Sequence, residues 1–319
     1  MREVLRSRSA RRAGPKGPRS PGGTQRAGRG AVAAASCAGL VGALAGALLS
    51  CAALTAMASP SGTSLVVHAP RIPVNGSGLR NTWSSNNWSG YAETGSFSGV
   101  TAAWSVPAVA ATASPTFSSA WVGVDGFGNS SLIQTGTEED YYNGAAHYGA
   151  WWEILPAAET PLPPSYAVAA GDRMKAAIYE TTSTGGQPGK GMGRAHTWVI
   201  SLSDTSRRWS YTTTQSYNGP GASADWVVEA PTVNGKISTL AHYTITPPAG
   251  SGDFDNAGFL TSPVSAGSPV YVNAGLNRLK NAGVMIQNNV QVSTPGNPDS
   301  ALTAFNDAYG SAVPATPTG

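Results

Sequence analysis

Residues 119–136 read SAWVGVDGFGNSSLIQTG, and the pattern in this stretch indicates the fold class. Ala120, Val122 and Val124 alternate with other side chains, and the same spacing returns over residues 132–136. Successive side chains of a β-strand point to opposite faces of the sheet, so this spacing is typical of strands. The glycine- and asparagine-rich residues 126–129 between the two runs favour a turn. The stretch therefore predicts two strands joined by a turn.

The same alternation recurs along the rest of the chain. Further runs lie at residues 100–106, 148–155, 198–202, 225–229, 242–244 and 284–286, with a last strand expected around Leu302–Tyr309. Glycine and proline clusters separate the runs, and no segment sustains a helical period beyond a few turns. We therefore predict one all-β domain over residues 81–319, built as a sandwich of two sheets of the lectin-like or jelly-roll-like type.

The N-terminal segment has the order of a secretory signal peptide. Residues 1–30 are basic, residues 31–56 carry no charge, and Ala56-Met57-Ala58 is a small-residue cleavage site. We expect residues 1–58 to be the signal peptide, the mature protein to start near Ser59, and residues 59–80 to form a linker or a short pro-segment. A retained membrane anchor is the alternative, and the sequence before Cys51 loosely resembles a lipoprotein site.

Charge and cysteine usage exclude several functions for the mature body. Nine of the 20 basic residues and one of the 17 acidic residues lie in the first 30 positions, so the remainder is acidic and sparsely charged. Nucleic acid is therefore not an expected partner, because phosphate binding needs clustered Lys and Arg. Both cysteines, Cys37 and Cys51, precede Ser59. Disulfides, thiolate catalysis and cysteine-based zinc sites are thus excluded from the body.

Common hydrolase motifs are absent from the chain. It contains no Gly-x-Ser-x-Gly, no His-Glu-x-x-His, and neither Asp-Thr-Gly nor Asp-Ser-Gly. The four histidines are scattered and stand in no recognisable triad context. We therefore expect no metal and no cofactor.

Strand alternation does place several polar and aromatic side chains on common faces. The sets are Trp121, Gly123 and Asp125; Leu132, Gln134 and Gly136; Trp151, Glu153 and Leu155; and Asp225, Val227 and Glu229. If these faces line one sheet, a cleft would hold tryptophan, glutamine, aspartate and two glutamates, and Gly123 would leave space for a substrate backbone. Spacing alone is equally compatible with Gln134 as a solvent-facing strand residue and with Glu229 as an ordinary carboxylate at a strand end.

Five motifs in register resemble a known family. They are Trp88-Ser89-Gly90-Tyr91, AWVGVDG at 120–126, LIQTG at 132–136, AWWE at 150–153 and ADWVVEAP at 224–231. Together they resemble the glutamic peptidases (peptidase family G1, the eqolisins), acid-active secreted endopeptidases with bacterial relatives. The resemblance extends over roughly Asn86 to Tyr309.

This resemblance implies a fold and a catalytic dyad. The implied fold is a sandwich of two antiparallel sheets, of which the concave one forms the cleft. Gln134 falls on the family glutamine and Glu229 on the family glutamate. In this chemistry Glu229 takes a proton from water and returns it to the leaving amine, while the Gln134 amide donates to the oxyanion. We expect a secreted, acid-acting, monomeric endopeptidase with polypeptide substrates and no stable membrane association after signal cleavage.

Five further residues are expected to support the dyad. Trp88 and Trp121 fall on aromatic residues of the family cleft, and Asp125 and Glu153 fall on acidic residues near the dyad. Trp151, on the strand face of Glu153, is expected to contact substrate. The two acids should shift the pKa of Glu229 rather than perform the chemistry, because like charges repel.

Two other functions remain open at this point. A glycoside hydrolase would use Glu153 and Glu229 as paired carboxylates across a sugar-sized slot, with no demand on Gln134. A non-catalytic sandwich that binds carbohydrate or peptide would need neither arrangement. The peptidase requires the Gln134 amide and the Glu229 carboxylate within reach of one shared water.

Overall fold

A computed structural model describes residues 65–75, 83–182 and 196–318 of the 319-residue chain. The described residues all belong to a compact unit that spans Ser59–Gly319. The prediction of a signal peptide at 1–58 concerns residues outside these ranges. Within them, no helix is long and apolar enough to cross a membrane.

Twenty-one strands make up the secondary structure of the described residues. They are β1 Val66–Val67, β2 Trp83–Ser85, β3 Trp88–Thr94, β4 Gly99–Ser105, β5 Ala108–Val109, β6 Ser119–Val124, β7 Ile133–Tyr142, β8 Ala145–Ile154, β9 Thr160–Pro161, β10 Arg173–Thr181, β11 Thr197–Asp204, β12 Trp209–Ser216, β13 Ser223–Glu229, β14 Thr232–Val233, β15 Lys236–Ile237, β16 Tyr243–Thr244, β17 Phe254–Leu260, β18 Val272–Asn273, β19 Ala282–Gln287, β20 Val290–Pro295 and β21 Asp307–Tyr309.

Two large sheets contain most of these strands. A ten-stranded sheet has the order β21-β20-β19-β3-β13-β6-β7-β8-β9, with β2 paired in parallel to β19. A six-stranded sheet has the order β12-β11-β10-β4-β17-β18. The other strand pairs within these two sheets are antiparallel. The predicted all-β sandwich of antiparallel sheets is confirmed.

The hydrophobic core lies between the two sheets and follows the alternation read from the sequence. On β13, Ala224, Trp226 and Val228 join the core, while Asp225 and Glu229 alternate with them and lie on the other face of the sheet. The Trp226 indole also donates to the Thr101 carbonyl of the six-stranded sheet at 2.9 Å. Burying a large apolar side chain contributes about 1.5–3 kcal/mol, so the core face fixes which face remains for the site.

The predicted final strand is shorter than expected. Only Asp307–Tyr309 form β21, because the chain turns at residues 299–302. The Asp299 carboxylate accepts hydrogen bonds from the amides of Thr303 and Ala304 at 2.8 and 2.9 Å. Leu302 adopts a φ of 61°, which is incompatible with an extended strand.

A glycine on β7 is required by the close approach of β6. A Cβ added at Gly136 would lie 2.4 Å from the Trp121 Cβ and 2.5 Å from the Ala120 carbonyl oxygen. We expect Gly136→Ala to destabilise the fold by about 1–3 kcal/mol, since a packed backbone has to shift. Gly149→Ala on β8 is the matched control, because a Cβ there meets nothing within 4 Å. Urea unfolding of both variants measures the difference, and equal stabilities would contradict the packing argument.

Candidate active site

Neighbouring strands of the ten-stranded sheet bring the predicted site residues together. Glu229 on β13 pairs in register with Trp88 on β3 and with Ser119 on β6. Gln134 on β7 pairs with Gly123 on β6 and with Glu153 on β8. Gln134 and Glu229 therefore lie on strands separated only by β6.

Glu229 is fully buried and is held by donors on both carboxylate oxygens. The Trp121 indole donates to Oε2 at 2.8 Å, and the Asn87 amide donates to Oε1 at 3.4 Å. The Nδ1 atom of His68 lies 3.3 Å from Oε2. Burial raises the pKa of Glu229, and the hydrogen bonds from His68, Trp121 and Asn87 lower it. Trp88 packs edge-on against Trp121 at 4.9 Å between ring centroids and so supports its indole.

Gln134 is oriented by two acceptors. Its Nε2 donates to Glu153 Oε2 at 2.7 Å and to the backbone carbonyl of His68 at 2.8 Å. Because both partners accept, the amide must present its NH₂ group to them. Burial raises the pKa of Glu153 to about 8. The Glu153 carboxyl group thus holds the amide of Gln134 in one orientation.

A short N-terminal segment lies directly across these residues. We call residues 65–75 the cleft segment. The Ala69 carbonyl accepts from the Trp88 indole at 3.0 Å, and the Pro70 carbonyl accepts from the Asn87 amide at 3.2 Å. The Arg71 amide donates to the Gly126 carbonyl at 3.0 Å. Part of the predicted linker or pro-segment is therefore bound at the site, and the sequence offered only its position before the domain as a signal.

His68 is the centre of the cleft segment. Its ring stacks on Trp151 with centroids 3.6 Å apart and planes inclined by 4°. Its Nε2 lies 3.2 Å from Glu159 Oε2 and 3.5 Å from Glu138 Oε1, and its backbone amide donates to Glu153 at 3.0 Å. Burial lowers the pKa of His68, but the bonds to Glu138, Glu159 and Glu229 raise it well above 6.5. The three carboxyl groups therefore favour the protonated form of the ring.

The acidic pocket around the His68 ring was not predicted from the sequence. It consists of Glu138, Asp140 and Glu159, and two of these lie on β7, beyond the short run that the alternation predicted. Burial raises the pKa of Asp140 to about 9 and that of Glu159 to about 7. His68, Glu138 and Glu159 also offer three ligand atoms within 4.8 Å of one another, so they are the described residues that could hold a metal ion.

Two expectations about β6 need adjustment. Asp125 follows β6 with a φ of 75°, and its carboxylate accepts hydrogen bonds from Tyr217, Gly221, Ala222 and Asn129. None of these partners belongs to the dyad. The space at Gly123 is filled by the Trp121 ring, whose Cζ3 would lie 2.9 Å from an added Cβ. Gly123 therefore accommodates Trp121 rather than a substrate backbone.

Comparison with known proteins identifies the family. Residues 86–247, about half of the chain, match the model of the Peptidase A4 family. The chain belongs to this family. The glutamic-peptidase resemblance of the five motifs is thereby confirmed, and the enzyme is a hydrolase of peptide bonds in polypeptide substrates.

A solved structure with a TM-score above 0.5 shares the fold of this peptidase. A crystal structure of scytalido-glutamic peptidase with a transition state analog inhibitor is 20% identical with a TM-score of 0.51, covering 70% of this chain and 98% of its own. Aspergilloglutamic peptidase from Aspergillus niger is 17% identical with a TM-score of 0.41, covering 61% of this chain and 99% of its own. No curated protein matches the chain.

The buried carboxyl groups predict how the stability of the peptidase depends on pH. Burial raises the pKa of Asp253 to about 7 and of Asp307 to about 6, in addition to the groups of the site. Carboxyl groups in an unfolded chain have pKa values of about 4, so the folded state holds more protons between these limits. The contribution of these carboxyl groups to the free energy of unfolding is fully present below about pH 4. It is lost as the pH rises through their pKa values in the folded state. The raised pKa of His68 acts in the same direction.

We therefore expect the free energy of unfolding to fall as the pH rises from about 4 to about 8. Urea unfolding at several pH values measures it. Asp253 accepts a hydrogen bond from the Asp307 amide at 2.8 Å. Asp253→Asn keeps an acceptor for this amide but removes the titrating group, so the free energy of unfolding should depend less on pH. A free energy of unfolding that rises over this pH range would contradict the raised pKa values of the buried carboxyl groups.

Proposed function

We propose that this peptidase is a secreted, acid-acting endopeptidase in which Glu229 activates a water molecule and Gln134 stabilises the oxyanion. One observation carries the mechanism. The Gln134 amide donates at 2.8 Å to a peptide carbonyl, that of His68, while the ring of the same residue lies 3.3 Å from Glu229. A substrate carbonyl bound in this way has an oxyanion donor on its oxygen and a base beside its residue.

The reaction requires only these side chains and water. Burial raises the pKa of Glu229 and the donors Trp121 and Asn87 lower it, so these donors maintain an ionised fraction of the carboxyl group. In this ionised form Glu229 takes a proton from water as the oxygen attacks the carbonyl carbon, and the Gln134 Nε2 donates to the oxygen as negative charge develops. The protonated Glu229 then gives its proton to the leaving nitrogen as the C–N bond breaks. Trp121 and Asn87 position the carboxylate, and Glu153 positions the amide.

Acid activity is supported by the chemistry of the site. The Gln134 amide is neutral at every working pH, so it donates in acid as it does at neutral pH. Glu153, with a pKa of about 8, is protonated throughout the acid range and adds no negative charge beside Glu229. The acid-favouring stability argued above points the same way. Secretion is supported by the order of basic, apolar and small residues at positions 1–58 and by the absence of cysteine after Cys51.

The arrangement described here is closed to substrate. The carbonyl of His68 occupies the donor of Gln134, and its ring occupies Glu229 and the face of Trp151. A polypeptide can reach the dyad only after the cleft segment has moved away or has been removed. We therefore propose that the cleft segment acts as the inhibitory part of the predicted pro-segment.

Substitution of the dyad tests the mechanism. Glu229→Gln keeps the size of the side chain but cannot accept the proton of water, so nearly all turnover should be lost. Gln134→Ala removes one oxyanion donor, and kcat should fall about 10²–10³-fold. The measurement is cleavage of an unfolded protein substrate near pH 4, with circular dichroism to confirm each fold. A folded Glu229→Gln variant that cleaves at nearly the wild-type rate would overturn the assignment of the dyad.

Substitution in the cleft segment tests the closed state. His68→Ala removes the stacked ring and its bonds to three carboxylates, each bond to a charged group contributing about 1.5–3 kcal/mol. The open fraction should increase, and kcat/KM of the full chain on a short peptide should rise about tenfold or more. Leu65→Ala is the matched control, because the Leu65 side chain is 58% exposed in the same segment. An unchanged rate for folded His68→Ala would show that the segment does not restrict access.

A further inference from the structure

His68 occupies the acidic pocket, and its backbone is bound as that of a substrate residue would be. The His68 amide donates to Glu153, and its carbonyl accepts from Gln134, so both backbone polar groups of one residue are fixed at the dyad. Under the proposed function, the carbonyl at Gln134 is the one that is attacked. His68 therefore stands at the position of the residue that contributes this carbonyl, and its side chain marks where that residue's side chain lies.

The walls of that side-chain position favour a flat or extended cation. Trp151 forms one wall, with its ring 3.6 Å from the imidazole and almost parallel to it. Glu159 and Glu138 lie at the far end, 3.2 and 3.5 Å from Nε2. A cation on the face of an indole with carboxylates at its end gains both cation–π and charge-assisted hydrogen-bond energy.

The acidic pocket still has an unpaired hydrogen-bond acceptor when the His68 ring is in place. Glu138 Oε1 is buried without a hydrogen-bond partner among the described residues, although it lies near the imidazole nitrogen. A neutral side chain at this position would leave the largely buried carboxyl groups of Glu138 and Glu159 without the donor that the imidazole supplies, which is costly.

We infer that Trp151, Glu138 and Glu159 form a specificity subsite that selects a lysine or arginine side chain on the residue whose carbonyl contacts Gln134. This inference rests on the proposed function. Histidine differs from these two residues because its Nδ1 lies 3.3 Å from Glu229 and engages the base. Lysine and arginine carry their polar atoms at the end of the chain, so they reach the carboxylates while the base stays available for water.

The test uses matched peptides and full-length protein. Peptides of the form Val-Val-Xaa-Ala-Pro, with Xaa as Lys or as the similarly long but neutral Met, are incubated at pH 6 in EDTA, and mass spectrometry locates the cleaved bond. Wild-type enzyme should cleave after Lys with a kcat/KM at least tenfold above that after Met. The double variant Glu138→Gln/Glu159→Gln should bring this ratio close to one, whatever its effect on opening of the cleft segment, because both peptides meet the same open fraction of the protein. Circular dichroism checks that the double variant is folded.

Two controls separate the possible failures. Glu180→Gln, on β10 of the other sheet, should keep the wild-type ratio. Equal rates for Lys and Met in the wild type, or an unchanged ratio in the double variant, would overturn the subsite while cleavage remained dependent on Glu229. Cleavage of both peptides at full rate by Glu229→Gln would instead overturn the proposed function.

Discussion

In the proposed mechanism, the site depends on keeping the fully buried Glu229 carboxylate usable as a base. Burial raises the pKa of Glu229, and an unpaired buried charge is expensive, so donors must surround it. The Trp121 indole on β6 and the Asn87 amide, directly before β3, supply these donors at 2.8 and 3.4 Å. Much of the local packing follows from this need. Trp88 supports Trp121, and glycine at 123 and 136 makes room for the Trp121 side chain.

The second requirement is a neutral donor with a fixed direction. Gln134 meets it because Glu153 and a peptide carbonyl both accept from the same Nε2 atom. Glu153 lies directly opposite Gln134 on β8, so the antiparallel register alone brings the two side chains together. A sheet whose other face is anchored in the core holds these positions more rigidly than loops would. Gln134 within β7 and Glu229 at the end of β13 are held in this way.

Alternation along the strands was sufficient to predict the sandwich and which side chains share a face within each strand. That Gln134, Trp151, Glu153 and Glu229 share one face of a sheet follows from the strand register, which alternation does not give. The dyad itself needed the resemblance of five motifs, because spacing does not separate a catalytic glutamine from a solvent-facing one. Asp125 could not be placed from spacing, since its positive φ takes it out of the strand pattern. His68 and the acidic pocket depend on a contact between residues about 70 to 160 positions apart, which no local pattern encodes.

We propose that Gln134 and Glu229 act on one transition state, and a double-mutant cycle tests this coupling. The quantity to measure is kcat on a single peptide substrate for wild type, Gln134→Ala, Glu229→Gln and the double variant. Residues that act as a unit are strongly non-additive. We expect kcat of the double variant to be only slightly below that of Glu229→Gln alone. Losses that multiply, so that the double variant falls by the product of the two single effects, would contradict it.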